Sequence, residues 1–433
     1  MLCAVLAFAL ALRFRWFALV PIEDVGDSYQ FDMTWYAMIG SKLKNGGGYA
    51  TAEGPTAFWP PGYPAFIAGV HWLRGRLVPN LADVQIVQVA LSAATCGLTY
   101  LVGAQLWGRR VGLVAAALLA TSLDHAMYAT LRLSETLFTF AIVGIAWAHS
   151  RWFAQPAAFG LGRGIALGVA VGIASLIRSV GVLLAAALPA TWLWTSRSVR
   201  LTAAPASLFL LALALTFLPW TLRNLVVMKA PIVLGSQIGE VLAVAHWPRA
   251  TGCLGTLSGD DETAQREFAD AARYRLRFPR LHGAEREVAS MRAETSRALK
   301  YMLSHPLEEA SLVPARIRCL YHDGHSAMRW DRRQDPTAPP GTHVPLLGAR
   351  WDPILTRLAD LHFFAVLGLA VFGTLRARSW HGAAALVPLF VLLTTALHGL
   401  LLFGDPRFHV PLLPFLCLLA ACAVCPGRRA LPA

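Results

Sequence analysis

Long apolar runs separated by short, acid-free connectors constrain the fold of this chain more than any other feature. Five of the connectors carry two arginines each and contain neither Asp nor Glu. The pairs are Arg109 and Arg110, Arg151 and Arg163, Arg197 and Arg200, Arg376 and Arg378, and Arg428 and Arg429. Because short loops rich in Lys and Arg stay on the cytoplasmic side of a membrane, we place all five connectors inside. The acidic residues then fall towards the opposite, outer face.

The composition agrees with a membrane protein: 56% of the residues are hydrophobic, only 15% are charged, and the mean hydropathy is +0.51. We therefore expect an all-α polytopic membrane protein with about ten transmembrane helices and both termini inside. The predicted spans lie near 1–20, 84–106, 111–130, 135–150, 164–177, 180–194, 201–218, 358–374, 382–403 and 409–425.

The formal net charge of +13 does not indicate a nucleic-acid partner. Ten of the 38 basic residues are the paired arginines of the inner connectors, and many others lie in one long outer segment. Topology and contact with anionic lipid headgroups account for a charge distributed in this way. We expect membrane lipid to be a partner and exclude nucleic acid.

Two outer segments are long enough to build a site, at about 21–83 and 219–357. They divide the chain into an N-terminal membrane region (1–218), an outer segment with interfacial helices (219–357) and C-terminal membrane helices (358–433). Two cysteines on the outer side, Cys253 and Cys319, are able to form a disulfide.

Each outer segment contains predicted helices. In the first, Asp32 to Leu43 reads as an amphipathic helix that stops at the glycines after Asn45. The proline-dense stretch 54–64 cannot be a regular helix, and 65–73 reads as an interfacial or re-entrant helix. In the second, 259–304 is charged and favours helix, whereas 298–306 and 312–321 suit the membrane surface.

The ionisable residues at membrane depth cluster at the outer rim. They are Asp27, Asp32, Glu135, Arg178, Arg223, Arg407 and His409. Such residues are costly in hydrocarbon and mark functional sites by default. Because no predicted span holds carboxylates running from one face to the other, the pattern favours a reaction site over an ion-coupled pump. Carboxylates can act as a base or ligate a metal, and arginines can hold a phosphate.

The polar motifs of the outer face resemble those of a known family. They are Asp32-Met33-Thr34-Trp35-Tyr36, Pro60-Pro61-Gly62-Tyr63-Pro64, Ser134-Glu135-Thr136-Leu137-Phe138, Leu176-Ile177-Arg178, Pro219-Trp220-Thr221-Leu222-Arg223-Asn224 and Arg407-Phe408-His409-Val410-Pro411. In this order they are similar to GT-C glycosyltransferases, in the branch of the protein O-mannosyltransferases and the aminoarabinose transferases of lipid A.

The resemblance implies an inverting transfer of a hexosyl or pentosyl group from a polyprenyl-phosphate-linked sugar, at the outer face of the plasma membrane. The acceptor would be a lipid, glycan or protein. Asp32 would be the catalytic base or a metal ligand, with Asp27 as a rival. Glu135 would match the second-loop acid and join Asp32 if a divalent metal, Mg or Mn, is bound. Arg178 and Arg407 would contact the donor phosphate.

This chain departs from the family at one position. The aminoarabinose-transferase branch has an acid and a lysine before the paired prolines, where this chain has Phe58 and Trp59. Either Glu53 substitutes, or this branch works with fewer carboxylates. Trp59 and Tyr63 could provide an aromatic face for a sugar ring or serve only the fold, and Arg223 could bind substrate or anchor a helix end at the headgroups.

Simpler interpretations stay open at this point. Asp32 and Glu135 could cap helices, Arg178 could snorkel to the headgroups, and Arg407 could pair with Asp405. The sequence 322–325, His-Asp-Gly-His, contains metal-ligand residue types without a standard metal spacing. A transporter or flippase, and a noncatalytic lipid-binding subunit, are the alternatives to an enzyme.

Overall fold

The computed structural model describes residues 1–19, 31–75, 80–152, 160–254, 280–329, 332–334, 343–345, 348–376 and 382–425, together with Phe278. Asp27 lies outside the described residues, and so do the inner arginines Arg378, Arg428 and Arg429. In the described part, helices dominate and β-structure is confined to two short antiparallel hairpins and one isolated bridge. The all-α fold class is confirmed.

The elements follow one another along the chain. The first half contains α1 (Leu2–Leu19), α2 (Phe31–Lys44), β1 (Ala50–Thr51), β2 (Gly54–Pro55), α3 (Gly62–Leu73), α4 (Leu81–Trp107), α5 (Arg109–Thr121), α6 (Leu123–Met127), α7 (Glu135–Trp152), α8 (Leu161–Ile177) and a 3₁₀ turn (Ser179–Val182). The second half contains α9 (Leu183–Ser196), α10 (Val199–Val227), α11 (Ile238–Ala245), α12 (Gly283–Ser304), α13 (Pro306–Leu320), a 3₁₀ turn (Ser326–Arg329), β3 (Arg332–Gln334), β4 (His343–Pro345), α14 (Gly348–Arg376), a 3₁₀ turn (Gly382–Ala385), α15 (Leu386–Leu401), a 3₁₀ helix (Pro406–Leu412) and α16 (Leu413–Val424).

A helix occupies each of the ten predicted spans. Seven segments of the described chain are long and apolar enough to cross a membrane, and α8 is a shorter apolar helix. The protein is therefore a multi-pass membrane protein, while the count of ten crossings stays a prediction. Several span boundaries were wrong: α10 continues to Val227, beyond the expected end at 218, and α14 begins at Gly348, ten residues before the expected start. The span expected over 111–130 stops at Thr121, because Ser122 takes an extended conformation and caps the short helix α6.

Helices α8 and α10 approach each other through glycines. A methyl carbon placed on Gly168 would lie 2.2 Å from the carbonyl oxygen of Phe209. One placed on Gly164 or on Gly172, one turn to either side, would lie 2.6 Å from an atom of α10. Small residues four apart let membrane helices pack backbone to backbone. This contact fixes α8, and with it the position of Arg178 at its C-terminal end.

The first outer segment packs on the membrane helices as predicted in outline. The expected helix 32–43 lies within α2, and the chain turns at Gly46, which has a φ of 75°. Helix α3 begins at Gly62, three residues before the expected start, since proline is tolerated in a first helical turn. A Cβ on Gly62 would lie 2.7 Å from the carbonyl oxygen of Leu176, so the turn rests on the end of α8.

The second outer segment is tied to the first. Glu287, on α12, accepts hydrogen bonds from Thr56 Oγ (2.6 Å), the backbone N–H of Ala57 (2.8 Å) and Ser236 Oγ (2.6 Å). The surface helix expected at 298–306 corresponds to the end of α12 and the first residue of α13, and the one expected at 312–321 lies in the rest of α13 and the residue after it. The Cys253–Cys319 disulfide is present, with the Cα atoms 5.6 Å apart.

Candidate active site

Four charged residues from four separate parts of the chain meet at one end of the helix bundle. Asp32 lies in the first turn of α2, and Glu135 is the first residue of α7. Arg178 follows α8 directly, and Arg407 is in the 3₁₀ helix that leads into α16. All four were predicted from the sequence as site residues, and the fold brings them together into what we call the rim cluster.

Glu135 is the centre of the rim cluster. Its Oε1 accepts a hydrogen bond from Arg178 Nη1 at 2.6 Å and a second one from Arg407 Nε. The carboxylate is fully buried, so these charge-assisted bonds form where water does not compete. Arg178 also donates to Ser134 Oγ at 3.0 Å, and its guanidinium lies 5.9 Å from the centre of the Phe408 ring. Glu135 thus sets the spacing of the two arginines.

Asp32 is the accessible acid of the rim cluster. Its side chain is 29% exposed, compared with 14% for Arg178, 12% for Arg407 and 0% for Glu135. Its Oδ2 accepts from Arg407 Nη1 at 2.7 Å, and its Oδ1 accepts from Trp59 Nε1 at 3.0 Å. Asp32 is therefore held in a fixed orientation while part of its carboxylate remains open to an incoming molecule.

Aromatic rings form the floor beside Asp32. Trp59 stacks on Trp35 with the ring centres 5.9 Å apart, and Tyr36 meets Trp59 and Tyr63 edge to face at 5.8 Å and 5.0 Å. Burial, and secondarily the nearby Asp32 charge, raises the pKa of Tyr36 well above its ordinary value. Tyr36 therefore stays neutral and provides a ring edge and a hydroxyl at the site. The sequence signal for it is its spacing from Asp32, one helical turn later on α2.

Three other predicted binding residues have contacts that serve the fold. The hydroxyl of Tyr63 donates to Gln88 Oε1, which ties α3 to α4. Arg223 donates to the carbonyl oxygens of Tyr49 (2.6 Å) and Thr56 (2.7 Å) and so clamps the first outer segment.

His409 is the third of these residues. It is fully buried, its Nδ1 hydrogen-bonds to the Leu320 carbonyl oxygen at 2.8 Å, and its ring stacks on Phe363. The contacts of all three residues are those of structural anchors.

A divalent metal held by Asp32 and Glu135 does not fit the arrangement of these side chains. The guanidinium of Arg407 contacts both carboxylates and lies in the position that a shared cation would need. A metal there would have to displace a positive charge that is already paired with the same two acids. Glu135 Oε2 has no hydrogen-bond partner among the described residues, but it is fully buried. We therefore derive no step through a metal at this position.

Comparison with solved structures identifies the fold. The oligosaccharyltransferase AglB from Archaeoglobus fulgidus, in complex with an inhibitory peptide and a dolichol-phosphate, aligns over 98% of this chain with a TM-score of 0.56 at 13% identity. The chain has the AglB fold. A second AglB structure, with Zn and sulfate, aligns over 97% of this chain with a TM-score of 0.54 and 13% identity. The GT-C fold expected from the sequence is thereby confirmed.

The alignment covers only part of AglB. This chain spans about half the length of the archaeal protein, 50% and 48% in the two structures. ArnT from Cupriavidus metallidurans aligns over 98% of this chain and 77% of its own at 12% identity, with a TM-score of 0.43. We assign the fold on AglB alone, because the score for ArnT is below 0.5. No protein-family model and no curated protein matches the sequence.

Proposed function

We propose that this protein is a membrane glycosyltransferase. It transfers a hexosyl or pentosyl group from a polyprenyl-phosphate-linked donor to an acceptor on the extracytoplasmic side, with inversion at the anomeric carbon. The observation that carries the proposal is the rim cluster: two arginines share one buried carboxylate, and one of them also holds the accessible Asp32. The AglB fold, in a protein solved with dolichol-phosphate, supports the same donor class.

The arginines bind the donor phosphate. A guanidinium presents several N–H donors in a plane, and this geometry matches the oxygens of a phosphate. Arg178 and Arg407 both donate to Glu135, so this carboxylate brings the two guanidinium groups to one place, where they bind the phosphate together. Glu135 is then a positioning residue rather than a base, because it is fully buried and already accepts from both arginines.

Asp32 acts on the acceptor. When the donor phosphate draws Arg407 towards itself, the bond from Arg407 Nη1 to Asp32 Oδ2 is released and that oxygen is free for a proton. The acceptor O–H or N–H gives its proton to Asp32, and its O or N forms a bond to the anomeric carbon. The bond between that carbon and the phosphate oxygen breaks, and the phosphate leaves with the electron pair. The arginines stabilise the charge that develops on it.

The outer segments complete the site. Segment 21–83 supplies Asp32 and Trp59. Segment 219–357 holds segment 21–83 in place through Glu287, which accepts hydrogen bonds from Thr56 and Ala57. We propose that 219–357 covers the site and selects the acceptor, and that both segments face the exterior of the plasma membrane. The Cys253–Cys319 disulfide supports this orientation, because disulfides persist in oxidising compartments.

The decisive experiment measures transfer directly. Membranes containing the full chain and the native acceptors are supplied with polyprenyl-phosphate-linked hexoses and pentoses, and the released polyprenyl phosphate is quantified by mass spectrometry. We expect release with the wild type and with Asp352→Asn, a half-buried control on α14, and strongly reduced release with Asp32→Asn or Arg407→Lys. If the protein moves the intact donor across a liposome membrane without releasing polyprenyl phosphate, it is a flippase and not a transferase.

A further inference from the structure

A second cluster of ligand-type side chains lies outside the rim cluster. Asp323 and His325 come from the turn after α13, and Asp360 comes from α14. One potential ligand atom from each residue lies within 4.8 Å of the other two. His325 Nδ1 is 2.7 Å from Asp360 Oδ1 and 3.8 Å from Asp323 Oδ1. We infer that these three residues form a binding site for a divalent transition-metal ion, distinct from the site of glycosyl transfer.

The turn is shaped to present its ligands to α14. A Cβ added to Gly324 would lie 2.3 Å from Phe363 Cβ and 2.6 Å from the carbonyl oxygen of Ala359, so only glycine lets the turn rest on the helix. The Gly324 N–H also donates to Asp360 Oδ1 at 2.8 Å. The close approach at Gly324 therefore places its two neighbours, Asp323 and His325, against Asp360.

The other side of the turn is anchored as firmly. Asp124, on α6, accepts from the N–H of Ala327 at 2.7 Å and from Ser326 Oγ at 3.0 Å. The Ser326 hydroxyl also hydrogen-bonds to Tyr128 OH at 3.0 Å. The ligands of the turn are thus fixed from both sides before any ion binds, and this lowers the ordering cost of binding.

The donor set indicates the class of ion. One imidazole nitrogen and two carboxylate oxygens are ligands that Zn²⁺ binds at about 2.0–2.2 Å. Ligand atoms around a tetrahedral Zn²⁺ are then about 3.3 Å apart. The two distances from His325 Nδ1, 2.7 Å to Asp360 and 3.8 Å to Asp323, lie on either side of this value. Asp323 is 3% exposed, whereas His325 and Asp360 are 21% and 29% exposed. The site is therefore closed on the Asp323 side and open on the side of His325 and Asp360, where a water molecule can take the fourth coordination position of the metal.

The ion would cross-link the outer segment to a membrane helix. Asp323 and His325 belong to segment 219–357, and Asp360 lies in the candidate span Arg350–Arg376. Bound metal would hold the end of α13 against α14 and so stabilise the folded protein. A preformed site of this kind adds its binding free energy to that of folding.

Zn²⁺ binding to the purified full chain tests the inference. Protein stripped with a chelator is titrated with Zn²⁺ by calorimetry, and bound metal is counted by elemental analysis. We expect one equivalent in the wild type, and at least 100-fold weaker binding in both Asp360→Asn and His325→Gln. His362→Gln is the matched control, because His362 is on the same helix and contacts Thr121 instead; it should bind as the wild type does.

A further variant and a spectroscopic measurement separate this site from the rim cluster. Asp32→Asn should strongly reduce transfer and leave Zn²⁺ binding unchanged, so a failure of the metal site and a failure of the proposed function give different results. X-ray absorption of the wild type should show nitrogen and oxygen ligands without sulfur. The inference is overturned if the wild type binds no Zn²⁺, if binding survives both ligand variants, if only Asp32→Asn abolishes it, or if sulfur ligates the metal.

Discussion

Asp32→Asn tests the proposed mechanism because it should change turnover and donor affinity in opposite directions. The substitution keeps the shape of the side chain and retains an oxygen that can accept from Trp59 Nε1, now 3.0 Å from Asp32 Oδ1. It removes the negative charge that holds Arg407 Nη1 at 2.7 Å. A positioned general base contributes about 10²- to 10⁴-fold to the rate, so kcat should fall by about that factor.

Donor affinity should rise in the same variant. A hydrogen bond to a charged group contributes about 1.5–3 kcal/mol. In the variant the amide oxygen faces Trp59, so the amide NH2 takes the place of Oδ2 and cannot accept a hydrogen bond from Arg407. Replacing Asp32 with Asn therefore weakens its hold on Arg407 by about 1.5–3 kcal/mol, which corresponds to about 10- to 150-fold tighter binding of a phosphate that competes for Arg407.

The assay combines released polyprenyl phosphate, which gives kcat, with calorimetric binding of a short-chain polyprenyl-phosphate sugar. Asp352→Asn should leave both values unchanged. Slower turnover together with weaker donor binding would mean that Asp32 holds the donor and would refute the competition for Arg407. Unchanged turnover would refute Asp32 as the base, and Asp27→Asn measured in parallel would then show whether Asp27 has that role.

Three further changes test the positioning of the site. Glu135→Gln removes the charge shared by both arginines. Because it leaves buried cations without their carboxylate, it should cost about 3–5 kcal/mol of stability and raise the donor KM more than it lowers kcat. A dominant loss of kcat would instead make Glu135 the base. Gly168→Ala should lower the melting temperature and the transfer rate, because its methyl group would lie 2.2 Å from a backbone oxygen of α10. In the control Gly162→Ala, on the same helix, the methyl group meets nothing within 4 Å and the change should be neutral. Equal behaviour of the two variants would contradict the close contact of α8 with α10 at Gly168. Cys319→Ser opens a disulfide whose cysteines are 66 positions apart, for which chain entropy gives a stabilisation of about 4 kcal/mol. The melting temperature should therefore fall in this variant and in the reduced wild type alike. An unchanged melting temperature would show that other contacts hold segment 219–357 in place.

The sequence by itself determined the membrane class and the positions of the helices. Apolar runs can satisfy their backbone hydrogen bonds in lipid only as helices or as a closed barrel, so composition and length fix these elements locally. The paired arginines between the runs predict the orientation in the membrane. The glycines after Asn45 ended α2 at the expected place, whereas other boundaries were missed, as at Thr121, at Gly62 and at the start of α14.

Tertiary structure decided which polar residues act together. Asp32 and Arg407 are 375 positions apart, and no local pattern shows that one guanidinium joins Asp32 to Glu135. The same holds for Asp360, which meets Asp323 and His325 only because Gly324 lets the turn lie on α14. Residue type and predicted depth in the membrane mark these side chains as costly to bury. Which partners they meet depends on how the helices pack. Packing is a property of the whole chain, and it determines whether a buried charge becomes an anchor or part of a site.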